Sequence, residues 1–117
     1  MRSTIRTIRI LVIGLLLSPP AADAQQAAKV YRIGVLIAGA PTSPATARNR
    51  EAFEGGLRER GYIQGQNLVI EYRYTEARDE RASALAAELV SLKVDLIVAH
   101  GTAQVSAAKQ ATSATPI

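Results

Sequence analysis

No cysteine occurs in the chain, which excludes a disulfide framework, a thiol nucleophile and a lipid attached through cysteine. Histidine occurs once, as His100, too few imidazoles to favour a metal site. Large aromatic side chains are nearly missing, with four tyrosines, one phenylalanine and no tryptophan. The most prominent apolar run, Ile10 to Leu17, falls short of the about 20 residues that cross a bilayer. Sequence motifs for several chemistries are missing too. Only Gly34 and Gly39 stand where a dinucleotide site needs G-x-G-x-x-G, and neither a Walker loop nor a G-x-S-x-G elbow is present.

What remains is ordinary globular composition, 48% hydrophobic and 21% charged over 117 residues, enough for one small domain or part of a larger one. The formal charge of +4 is concentrated at the start. Removing residues 1 to 24 takes three of the fourteen basic residues, Arg2, Arg6 and Arg9, and one of the ten acidic ones, leaving +2. That balance gives no basic patch, so no nucleic-acid partner is expected.

The three arginines precede Ile10-Leu11-Val12-Ile13-Gly14-Leu15-Leu16-Leu17, then Ser18-Pro19-Pro20 and Ala22-Asp23-Ala24. A positive start, a short apolar core and an A-x-A site describe a secretory signal peptide, with cleavage expected after Ala24. Residues 1 to 24 are therefore read as a signal peptide and 25 to 117 as the mature chain. It is expected to be periplasmic, with no stable membrane anchor after cleavage.

The mature chain reads as alternating elements. Val30 to Ala38, almost continuously apolar from Ile33, is a strand of the kind buried on both faces. Gly39 to Pro44 is a loop, with Ser43 as the expected N-cap and Pro44 as the first helical residue. A helix to about Arg60 carries Ala52, Phe53, Gly56 and Leu57 on one face and stops at Gly61. Asn67 to Tyr74 alternates apolar and polar residues, as a half-exposed edge strand does. A second helix, capped by Asp79, carries Ala82, Leu85, Ala86 and Leu89. Leu96-Ile97-Val98-Ala99 is a third, buried strand, Ala103 to Gln110 a third helix, and Pro116-Ile117 the expected start of a fourth strand.

This order implies an α/β fold with a doubly wound parallel sheet. Right-handed crossovers, with the alternating strand at an edge, give the order 2-1-3-4. The helices after strands 1 and 3 then leave on opposite faces and open a crevice at the strands' carboxyl ends. Its walls are Gly39 to Ser43 and His100 to Thr102. Hydroxyls at Thr42, Ser43 and Thr102, close backbone approach at Gly39 and Gly101, and two helix N-termini suit a carboxylate or another small anion. Each hydroxyl has local capping as its alternative role, and Arg48 and Arg50 either face solvent or bring charge to the rim. His100 has no nucleophile or orienting partner readable beside it, so no catalytic residue, metal ligand or cofactor is assigned.

Several stretches together resemble the ABC-transporter substrate-binding protein family. Phe53 to Leu68 follows that family's F-x-x-G-L-x-x-x-G-Y-x-x-G-x-N run. The likeness continues through Ile70 to Arg73, Leu85 to Val90, Val94 to Ala99 and Ala111 to Ile117. The resemblance implies a type I periplasmic-binding-protein fold, in which two α/β lobes close on a small solute and deliver it to an ABC permease. It implies no enzymatic activity and an amino-acid-like solute. It also implies ligand contacts from the loop after strand 1 and from the strand 3 to helix junction. These are Pro41, Thr42, Ser43, Gly101, Thr102 and Ala103; His100, beside them on the crevice wall, is added as a candidate contact although many family members lack a histidine there. Family members are longer, so residues 25 to 117 are read as a partial, truncated N-terminal lobe. An exported α/β enzyme or a sensory domain using the same cleft is the alternative.

Overall fold

The computed structural model of the chain describes residues 29–117. The expected signal peptide and its cleavage site after Ala24 lie outside the described residues.

β1 (Tyr31–Ile37) is the axis of the sheet. Its inward residues serve both faces: Ile33 and Val35 belong to one apolar cluster and Leu36 to the other, as a strand apolar at nearly every position must. β2 (Leu68–Tyr74) and β3 (Leu96–His100) flank it, both parallel, with Tyr31 opposite Leu68 and Ile33 opposite Leu96. The strand order is β2-β1-β3. It agrees with the first three places of the expected 2-1-3-4. A fourth strand is not formed among the described residues. Pro116 instead contributes one carbonyl, which accepts the Ile97 N–H at 2.9 Å on the outer side of β3.

That geometry corrects the reading of the third strand. Leu96 to Ala99 was expected to be buried throughout, yet only Ile97 is, and Leu96 is 36% exposed. An uninterrupted apolar run reports the environment a strand is built for, and β3 here forms one edge of a three-stranded sheet. β2 behaves as its alternation predicts. Leu68, Ile70 and Tyr72 face the first cluster, while Glu71 and Arg73 enter a ladder of ion pairs, Arg32 to Glu71 at 3.1 Å, Glu71 to Arg73 at 3.6 Å and Arg73 to Glu88 at 3.2 Å.

Helix α1 (Pro44–Glu59) lies on the β1/β2 side of one face, packing through Phe53 and Leu57. Ala52, expected on that face, is exposed. Ser43 is the N-cap residue with Pro44 behind it, but its hydroxyl makes no capping bond. The helix ends as expected. Gly61, at φ +89°, and Gly65, at φ +85°, take the left-handed conformation that side chains resist. Asn67 clasps the turn between them, accepting the Ile63 N–H at 2.7 Å and donating to the Gly61 carbonyl at 3.0 Å. The G-Y-x-x-G-x-N run is thus a self-bonded connector that sets where β2 begins.

On the opposite face lie α2 (Ala82–Ser91), preceded by a 3-10 turn at Asp79–Arg81, and α3 (Thr102–Ala111). Ala86, Ala107 and Ala108 let the two helices approach closely over Leu36, Leu89 and Ile97, which have no exposed surface. Each of these three larger side chains stabilises the fold by about 1.5–3 kcal/mol through burial. Asp79 does not cap α2 as expected. Its carboxylate sits instead 3.5 Å from the side-chain amide of Gln104.

Candidate functional site

The carboxyl ends of β1 and β3 meet directly, since the Ala38 N–H donates to the His100 carbonyl at 3.2 Å. From that junction the chain leaves on opposite faces of the sheet, into α1 from β1 and into α3 from β3. Gly101, at φ +117°, makes the second exit possible. A Cβ there would run into the carboxamide oxygen of Gln104 and come within 3.2 Å of Ala38 Cβ. The backbone can pass only as glycine.

Two helix N-termini therefore open at one end of the sheet. The first intrahelical bonds are Ala47 N–H to Ser43 carbonyl and Val105 N–H to Gly101 carbonyl, both 2.9 Å, so the amides before them within each first turn have no helical acceptor. Ser43 makes no side-chain cap, and none is made at the start of α3. Among the described residues the hydroxyls of Ser43 and Thr102 make no hydrogen bond.

Between α1 and the β3 half of the sheet runs a groove of about 630 Å³. Its floor is apolar, from Val35, Ile37, Phe53, Tyr72 and Val98, and its rim is polar, from Gly39, Ser43, Thr46, Asn49, Arg50 and His100. The Tyr72 hydroxyl donates to Glu54 Oε1 at 2.6 Å, and the Tyr72 and Tyr74 rings stack 6.0 Å apart. Burial, reinforced by the Glu54 carboxylate, pushes the Tyr72 phenol well above its ordinary value. Arg50 Nη1 donates to the Tyr74 hydroxyl at 3.4 Å, a contact that raises its pKa further and leaves a permanent cation at the rim. A shallower depression of about 600 Å³ follows the outer side of α3, lined by Gly101, Thr102, Val105, Ser106 and Lys109.

The candidate residues read from the sequence divide between these features. Ser43 and His100 share the groove, and Gly101 and Thr102 begin the depression beside it. Pro41 and Thr42 sit on the exposed loop before α1, and Ala103 is half-buried in the first turn of α3; these three line neither feature. Of the two arginines left open, Arg50 borders the groove and Arg48 is exposed. Thr46, Asn49 and Phe53 join the lining without having been singled out for it. Their signal was available, because 46, 49, 50 and 53 fall on one helical face.

A family model, ABC transporter substrate binding protein, matches residues 34–117. The chain belongs to that family. Its fold is also that of solved substrate-binding proteins. A ligand-free, open substrate binding protein with adhesive properties from Clostridium difficile superposes with a TM-score of 0.67 at 29% identity, over 74% of this chain and 29% of that one. An ABC domain from Streptococcus pneumonia in complex with L-Trp gives 0.66 at 25% identity, over 75% and 29%. A conserved domain protein from Vibrio cholerae gives 0.66 at 26% identity, over 72% and 28%. The chain thus spans less than a third of each solved relative's length. No curated protein matches it significantly.

Proposed function

We propose that this chain is the partial N-terminal lobe, residues 25 to 117, of the secreted solute-binding component of an ABC importer. It would contact an amino-acid-like solute at the carboxyl edge of its sheet, and the intact protein would pass that solute to a permease. The observation that carries the reading is the convergence of two helix N-termini, with unclaimed hydroxyls at Ser43 and Thr102, on the β1/β3 junction. Free amides and hydroxyls suit a carboxylate, and an apolar floor beside them suits a side chain. Membership of a substrate-binding family supports the role, and the L-Trp bound by the Streptococcus relative supports the solute class.

A binding role without catalysis accords with the family match. The signal peptide, the periplasmic location and release of the mature chain after Ala24 belong to the same proposal. Mass spectrometry of the exported protein tests the cleavage: a mature N-terminus at Gln25 is expected, and retention of Met1 through Ala24 would refute release after Ala24.

Binding itself is tested by titrating the intact protein with each L-amino acid in a calorimeter. Saturable heat with at least one is expected, and none with any of them would refute the solute class.

A further inference from the structure

Gln104 opens no part of the groove, yet it is almost wholly buried, at 1% exposure. Its side-chain Nε2 donates to Thr75 Oγ1 at 2.9 Å and, at the long limit of 3.5 Å, to Asp79 Oδ1. Thr75 has no exposed surface. Its hydroxyl accepts from Gln104 and donates onward to the carbonyls of Ile37 and Ala38, 3.4 Å from each. Main-chain bonds run in parallel: Thr75 N–H to Ile37 carbonyl at 2.9 Å and Ala77 N–H to Ala38 carbonyl at 2.8 Å. Three segments distant in sequence are thereby joined: the end of β1, the loop after β2 and the first turn of α3.

Two further features mark this as a held arrangement. Glu76 and Ala77 are successive non-glycine residues at φ +55° and +63°, a conformation kept only where neighbours enforce it. The Gln104 carboxamide also lies directly under Gly101, the residue that aims one cleft wall. A hydrogen-bonded network of this kind rigidifies what it spans, and it links the end of β1 to the first turn of α3.

We propose that Gln104 and Thr75 form a latch that positions the wall 100–103 against the wall 38–43, and so sets solute affinity without touching the solute. The inference rests on the solute-binding reading above. A wall already in place spares the ordering cost that binding would otherwise bear.

The test compares Thr75→Val, which keeps the shape and removes the hydroxyl, with Thr75→Ser, which keeps the hydroxyl, and adds Gln104→Leu. In the intact protein, L-tryptophan and the other L-amino acids serve as probes by calorimetry, and amide hydrogen exchange is followed at Ala38, Ala77 and Val35. Thr75→Val and Gln104→Leu should weaken binding by about tenfold or more and speed exchange at Ala38 and Ala77 similarly, leaving Val35 unchanged; Thr75→Ser should behave as the unsubstituted protein. Unaltered affinity and exchange in both disrupting variants would overturn the latch. So would unfolding of both, since the residues would then serve the fold as a whole. If the unsubstituted protein binds no amino acid, the solute reading fails, and the exchange measurements still decide the latch.

Discussion

At the scale of single residues, Gly101 carries the sharpest constraint. Its φ of +117° is closed to side chains, and its Cβ position is occupied by Gln104. Gly101→Ala should destabilise the protein by about 1–3 kcal/mol in urea unfolding, because strain and crowding act together. Tyr72 offers a pH test. Its folded phenol titrates above the ordinary 10.0, so the folded state holds the proton more tightly than the unfolded chain. The associated stability is fully present below that ordinary value and is lost as pH rises beyond it. Urea midpoints should therefore fall in alkali more steeply for the unsubstituted protein than for Tyr72→Phe, and equal slopes would contradict the assignment. Legibility differs sharply between such residues. Gly61 and Gly65 were readable as turn residues because local conformation alone demands them. The Thr75 and Gln104 pairing was not, because 29 positions separate them and nothing local links a threonine after one strand to a glutamine in a helix.

At the scale of elements, apolar period predicted the strands and helices well where packing is complete. Ala82, Ala86 and Leu89 are all buried, as their spacing required. Leu89→Ala should cost about 2–5 kcal/mol, since Leu89 has no exposed surface and the cavity would lie between α2 and the sheet. Capping was less legible. Ser43 and Asp79 are the right residue types in the right places, but the Ser43 hydroxyl makes no capping bond at the groove and Asp79 faces Gln104, a tertiary partner in place of a local one. β3 shows the same limit from the other direction. Its run Leu96 to Ala99 is apolar enough for full burial, yet among the described residues the outer side of the strand meets only the carbonyl of Pro116. Residues 25–117 expressed alone should consequently self-associate through that edge. Light scattering after gel filtration checks this, and a monodisperse monomer would contradict it.

At the scale of the whole molecule, the groove and the depression begin at neighbouring residues, His100 and Gly101, beside the β1/β3 junction. Ligand sites bury about 70–90% of a bound molecule, which a single wall cannot do. The solved relatives are more than three times as long as the stretch they share with this chain, so enclosure of a solute is a property to seek in the intact protein. The order β2-β1-β3, with helices on both faces, was readable from the sequence, because crossover handedness and strand burial constrain topology strongly. The groove lining was only half readable, since Val98 and Tyr72 reach it by way of strand register.

The central claim is that the carboxyl edge of β1 and β3 binds solute, and Thr102→Pro tests it most directly. Proline is tolerated at the first position of a helix, so α3 should persist while an amide donor and the Thr102 hydroxyl at the site disappear. In calorimetric titration of the intact protein with L-amino acids, the affinity for the bound solute should fall by about tenfold, with the thermal midpoint of the free protein little changed. Undiminished affinity in that variant would contradict the site.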